Sequence, residues 1–376
     1  MRTIKALALA VAAAAPIWAS EAKAAEHNWR MQTEWGGGPL MDLGAKAFAE
    51  RIKFVTDGRI EVQVLPVGTV AKGLESRTAV ANGVVEACHT WIGYDWGKDK
   101  TTVLLGGFSG SMDSERMLHW LYEGGGLELW RQFNEEKFNL VSMPLFARTA
   151  EAFLHSRKPV KTLEELKGLK LRTAGAWLEI SRQLGAASLT TPGAETYPML
   201  ERGAIDATEW GTLYENISMG FHKIAKYVII PGVQQPSAPF ELCVNKTAWG
   251  KLSDRDKKLV ELTSRQVTLE SWMRVGAEDA KALKFFREQG NEIIELAPEV
   301  QKATKDMSVK WADEQAKENA WFKKIWESQR AFEKRTPTTR CSRATWAPLY
   351  AASRRAAPTT TRARACCHPT GRAATR

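Results

Sequence analysis

Two stretches of this 376-residue chain echo one another, and the echo limits the folds open to it. Glu75 precedes Val80-Ala-Asn-Gly83-Val-Val-Glu-Ala87, and Glu195 precedes Leu200-Glu-Arg-Gly203-Ala-Ile-Asp-Ala207, with the glutamate eight positions before the glycine in each. Both read as a helix stopped by glycine and followed by a strand, because glycine supplies the left-handed residue that ends a helix without a Cβ penalty. Each copy then runs into a tryptophan, at Thr90-Trp91 and at Glu209-Trp210. Chance repetition of a common helix–glycine–strand pattern is the alternative. The economical reading is two similar α/β lobes, each with a strand whose C-terminal end opens onto a shared cleft, where α/β sheets place ligands.

The flanking sequence has the same alternation. Trp29–Trp35 alternates like a strand and ends in Gly36-Gly-Gly-Pro39. Apolar residues then recur at helical spacing from Leu40 to Val55, and Ile60–Leu65 alternates again. That is a βαβ unit, which implies a parallel sheet with helical cover. Further strands are expected at Ser142–Phe146, Ala152–His155, Leu169–Thr173 and Phe240–Asn245, with a short helix at Thr162–Gly168 opened by a Thr162/Glu165 capping box. Ser253–Gly290 and Pro298–Lys334 each read as one long helical stretch. The organisation expected is a signal peptide at 1–24, a mainly first-lobe segment at 25–143, a mainly second-lobe segment at 144–240, a crossing strand and long helices shared by both lobes at 241–334, and an aberrant basic tail at 335–376.

The net charge of +10 bears on partners only through its position. Nine arginines and no acidic residue or lysine lie between Arg335 and Arg376, and the first 24 residues carry a further net +2, which leaves residues 25–334 at −1. The body lacks the positive footprint that phosphate backbones demand, so nucleic-acid binding is excluded. The tail changes composition abruptly after Lys334 and has no periodicity that would fold, as a shifted reading frame would produce. At the other end, a basic Met1–Lys5, an apolar Ala6–Trp18 and the small-x-small Ala22-Lys23-Ala24 form a secretory leader, cut after Ala24, which places the protein in the periplasm. Cys88 and Cys243 read as buried thiols in preference to a bridge, and the tail cysteines 341, 366 and 367 lack zinc spacing.

Glu164-Glu-Leu-Lys-Gly-Leu-Lys-Leu-Arg172, Leu200–Trp210 and Gly220-Phe-His-Lys-Ile-Ala-Lys-Tyr227, with Tyr122-Glu-Gly-Gly-Gly126 and Pro239–Asn245, resemble the DctP-type solute-binding proteins of tripartite ATP-independent periplasmic (TRAP) transporters. The likeness runs from the first strand to about Lys334, and the Glu-Trp form resembles the branch that binds 2-oxo acids and related carboxylates beside a metal ion. It implies a two-lobed periplasmic binding protein with crossing hinge strands and a long helix under both lobes. Such a receptor closes on a small organic carboxylate (a 2-oxo acid, hydroxy acid or aromatic acid) and delivers it to membrane permease subunits without chemistry; some relatives pair as homodimers.

The resemblance assigns Arg172 to the solute carboxylate, a task that suits a planar guanidinium offering two charge-assisted donors. It assigns Tyr94 to the solute and Trp35 and Trp177 to cleft walls. For the metal, either Ca²⁺ or Na⁺ as suits oxygen ligands, it points to Glu209, the Trp210 carbonyl, Glu241 and Glu151. Glu151 and Trp210 also fall within reach of the solute. Glu151 departs from the glutamine usual at that position; it favours a divalent ion, unless Arg148 pairs with it instead. Trp91 and Trp96 read as packing aromatics. A rival enzyme needs a nucleophile–base constellation, and the dispersed histidines and the absence of GxSxG and HExxH motifs argue against one. A ligand-sensing module for a receptor shares the fold and stays open as an alternative.

Overall fold

A computed structural model describes residues 25–336; the leader and the tail from 337 onward, with Cys341, Cys366 and Cys367, lie outside the described residues. The chain passes through β1 (His27–Thr33), β2 (Ile60–Leu65), β3 (Ala87–Thr90) and β4 (Leu140–Arg148). It continues through β5 (Leu154–Ser156), β6 (Lys170–Arg172), β7 (Ala187–Leu189), β8 (Ala207–Thr208) and β9 (Tyr227–Ile230), then returns in β10 (Ala238–Asn245) before β11 (Glu292–Glu295). Five strands form one sheet in the order β2-β1-β3-β10-β4, and six form the other in the order β11-β9-β5-β8-β6-β7. The βαβ expectation holds: β1 pairs parallel with β2 from His27↔Ile60 to Gln32↔Leu65. The two glycine-stopped helices, Ser76–Ala81 and Gly193–Glu201, feed β3 and β8, and Gly83 (φ +73°) and Gly203 (φ +75°) take the left-handed conformation that the echo requires.

Each sheet carries one copy of the echo, so the repeat corresponds to two lobes. The lobes are joined where β4 leads into β5 and where β9 leads into β10, and β4 and β10 run antiparallel side by side from Ala238↔Arg148 to Asn245↔Leu140. At this double crossing the backbones press together. A Cβ on Gly232 would lie 1.9 Å from the Glu151 carbonyl oxygen, so only glycine fits. The strand expected near Ser142–Phe146, which a boundary at 143/144 would divide between the lobes, is β4 at the edge of the first sheet.

Below both sheets lies the 35-residue helix Asp254–Glu288, about 50 Å long at the usual rise per residue. Ser253 caps it by accepting from Asp256 N at 3.0 Å. Val260 and Val267 pack in the core of the first sheet, whereas Ala282 and Phe286 join Val228 and Ile230 of the second. The stretch expected as one helix over Pro298–Lys334 is two, Pro298–Glu318 and Ala320–Arg335. Asn319 leaves helical conformation (φ −127°, ψ 116°) and its side chain accepts from Trp321 N and Phe322 N, so it caps the second helix and folds it back on the first. Trp311, Phe322 and Trp326 pack inside that hairpin as core aromatics. Cys88 and Cys243 face each other across β3 and β10 as buried free thiols. Among the described residues no helix is long and apolar enough to cross a membrane.

Candidate functional site

The cleft lies where four parallel strands end. Trp35 follows β1, Trp91 and Tyr94 follow β3, Arg172 closes β6, and Glu209 and Trp210 follow β8. The crossing segments add Arg148, Glu151 and Gln235, and β10 adds Phe240, around a narrow space between the lobes. The two tryptophans that end the echo, Trp91 and Trp210, therefore both line the cleft, one from each lobe.

Arg172 is buried, with 2% of its surface exposed. Its Nη2 donates to the Thr191 carbonyl at 2.9 Å, its Nη1 reaches the Glu209 carbonyl at 3.5 Å, and its guanidinium carbon stands 5.2 Å from the centre of the Trp210 ring. Its Nε has no hydrogen-bond partner. A buried charged donor left unpaired is costly, and an incoming carboxylate would satisfy it. Tyr94 stacks edge-on against Trp91 at 5.2 Å, and burial, partly countered by Arg172, pushes its hydroxyl up to about 12, so it stays a hydrogen-bond donor. Glu209 accepts from Ala174 N at 2.9 Å and faces Arg172 Nη1 at 3.7 Å.

Around Arg148 the structure shows an arrangement that the sequence left as an alternative. The side chain is 5% exposed; Nη1 donates to Glu215 Oε2 at 2.6 Å and reaches the Trp210 carbonyl at 3.5 Å, while Nη2 bonds Glu151 Oε1. Its guanidinium also lies 4.9 Å from the centre of the Phe240 ring, and its Nε has no partner. Burial opposes its charge, but Glu215 and Glu151 together outweigh burial and hold the guanidinium firmly protonated. Burial, eased by Arg148 and reinforced by Glu209, raises the Glu151 carboxyl well above the usual range. The other oxygen of Glu151 accepts from Gln234 Nε2 at 3.0 Å.

Two expected site residues are elsewhere. Glu241 is fully buried behind the cleft, where it accepts from Arg77 Nη1 at 2.8 Å and from the Ser142 hydroxyl. Its neighbour Phe240 lines the cleft instead, because strand residues alternate between faces and a register shift falls between the two. Trp177 turns into the core of the second lobe against Phe153, 5.9 Å away, and is no cleft wall. Sequence reasoning missed Gln235, Leu40, Ala174 and Phe240 as lining residues. For Trp91, read as packing, the echo held a signal: it falls eight residues after Gly83, as Trp210 falls seven after Gly203.

The sequence profile of bacterial extracellular solute-binding protein family 7, DctP, matches residues 31–319. A monocarboxylate 2-oxoacid-binding periplasmic protein of Nostoc is 29% identical over 307 residues, covering 82% of this chain and 84% of that one. Among solved structures, a TRAP transporter solute-binding protein of Bordetella bronchiseptica superposes with a TM-score of 0.78 at 26% identity, covering 87% of this chain and 95% of its own. It is a mixed-occupancy dimer with copurified calcium and picolinate in one site. A TRAP periplasmic solute-binding protein of Pseudoalteromonas atlantica, with sodium and pyruvate bound, gives 0.79 at 26%, covering 87% and 99%.

In both of those solved structures a cation accompanies a carboxylate. The oxygen donors expected to hold one in this chain are engaged otherwise. Glu241 lies behind the sheet, Glu151 and the Trp210 carbonyl face the Arg148 guanidinium, and Glu209 faces Ala174 N and Arg172. Among the described residues no three His, Cys, Asp or Glu side chains gather as a metal cluster. The expected ligand set, as arranged here, does not fit a hard cation.

Proposed function

The chain belongs to bacterial extracellular solute-binding protein family 7, the DctP family, and on that premise we propose that it is a periplasmic receptor for a small organic carboxylate, which it delivers to the permease subunits of a TRAP transporter. The observation that carries this reading is Arg172, buried at the meeting of the two lobes with an unpaired Nε donor. Trp35, Trp91, Tyr94, Trp210 and Phe240 surround it, and such walls favour an acid with an apolar body, such as a 2-oxo acid or an aromatic acid, over a sugar. The carboxylates of the Nostoc, Bordetella and Pseudoalteromonas proteins support the same class.

The receptor carries out no chemistry. Membership of a solute-binding family supports this. Export with removal of the leader after Ala24 belongs to the same reading. So does pairing of two copies, as in the dimer of the Bordetella protein. Calorimetric titration with pyruvate, other 2-oxo acids, picolinate and neutral sugars tests the proposal. Micromolar or tighter binding of one acid, with none of the sugars, is expected; saturable sugar binding without acid binding would refute it, and light scattering of the same sample reports the dimer.

A further inference from the structure

Glu151 and Glu209 line the cleft and the buried Glu215 is paired to Arg148 beside them, so an anionic solute must enter next to carboxylates. Some cation has to accompany it. In the Bordetella and Pseudoalteromonas relatives a metal ion stands with the solute. Here Arg148 lies among the oxygens expected to bind that ion. One guanidinium meets Glu151 Oε1, Glu215 Oε2 and the Trp210 carbonyl, with its back over the Phe240 ring. A planar guanidinium with five donors can satisfy several oxygens at once, as a hard cation does, and a metal ion beside it would face like-charge repulsion. Its charge is permanent, and its Nε, like that of Arg172, has no partner and remains available to the solute.

We infer that Arg148 is the resident cation of this solute site, standing in for the metal, so that the chain binds its carboxylate without a metal ion. The inference rests on the receptor reading and specifies how that site is charged. The cleft then offers two guanidinium groups, Arg172 from β6 and Arg148 from the end of β4, one from each sheet. The substitution also accounts for Glu151, whose carboxylate is a partner for Arg148 and not a ligand waiting for an ion.

Three measurements decide it. The protein purified without chelator should hold well under 0.1 equivalent of calcium by elemental mass spectrometry, and terbium should show no Trp-sensitised luminescence above the free ion. After chelation and exchange into sodium-free buffer, affinity for pyruvate and picolinate should change less than twofold when Na⁺ or Ca²⁺ is added back. Arg148→Thr frees Glu151 and the Trp210 carbonyl. It should lose at least tenfold in ion-free affinity and gain terbium binding, whereas Arg148→Lys should stay independent of ions. Stoichiometric calcium in the native protein, or more than tenfold loss of wild-type affinity that an ion restores, would overturn the inference. If Arg148→Thr fails to fold, the wild-type metal content and ion tests still decide. Absence of binding to every acid with and without ions would instead count against the receptor reading, while metal content would still judge Arg148.

Discussion

At the scale of single residues, the site depends on which face of a strand each side chain takes. Arg172 closes a strand in both readings, and its fork sets the first prediction. Arg172→Lys keeps the charge but loses the paired geometry, so carboxylate affinity should fall by about 1.5–3 kcal/mol by titration calorimetry; unchanged affinity would move the anchor elsewhere. Glu241 shows what one sequence leaves open. Stepping by one residue along a strand exchanges faces, and the irregularity between Phe240 and Glu241 has no signature in the amino acids themselves. Glu241 is instead half of a buried ion pair with Arg77, which also meets Asp95 at 3.1 Å. Glu241→Ala leaves that guanidinium under-neutralised in the core and should cost about 3–5 kcal/mol in urea unfolding, while the variant that remains folded binds solute as wild type does. Lost affinity with unchanged stability would return Glu241 to the site. Arg148 was legible as an alternative partner for Glu151, but its reach to Glu215 and the Trp210 carbonyl depends on a chain crossing that local sequence does not encode.

At the scale of elements, local signals proved informative wherever the determinant was local. The capping box at Thr162, the strands on either side of the first helix and the two glycine stops are properties of a few neighbouring residues, and all are present as read. The break at Asn319 was hidden because helical periodicity continues on both sides of it. The long helix is bound to both lobes by contacts of another kind. Ser264 donates to the Pro144 carbonyl near the first sheet, and near the second Asp279 accepts from Tyr214 N at 2.8 Å and from the Thr149 hydroxyl at 2.5 Å. Burial raises Asp279 from 3.8 to about 6, against the lowering effect of those hydrogen bonds. An acid with a raised folded-state pKa binds more protons folded than unfolded between those two values. Its contribution to stability therefore falls as pH rises from about 4 to about 6, by up to about 3 kcal/mol, and is level above that. Urea unfolding of wild type and Asp279→Asn from pH 4 to 7 should show wild type losing stability relative to the variant across that window and running parallel to it above. Parallel curves throughout would place the titration elsewhere.

At the scale of the whole molecule, the lobes share two crossing segments and one long helix, and the cleft draws its walls from both sheets. Tyr94 and Arg172 stand on opposite lobes, so a solute that bonds both favours the arrangement in which they meet, and only that differential contact can drive closure. The basic tail takes no part in this argument: its arginine-rich, acid-free sequence has no apolar face, and removal of residues 337–376 should leave melting temperature and solute affinity unchanged. The truncated chain retains only Cys88 and Cys243, both buried, so that spin labels attached through new cysteines at exposed Lys53 and Lys226 would report one from each lobe. Double electron–electron resonance should give a broad distance distribution without solute and a narrower one with saturating carboxylate. Arg172→Lys should need proportionally more acid to narrow it, because that substitution weakens the contact that selects the closed form. A distribution indifferent to solute, in a protein that calorimetry shows to bind it, would mean that the cleft is preformed and that the crossing segments act as a fixed brace instead of a hinge.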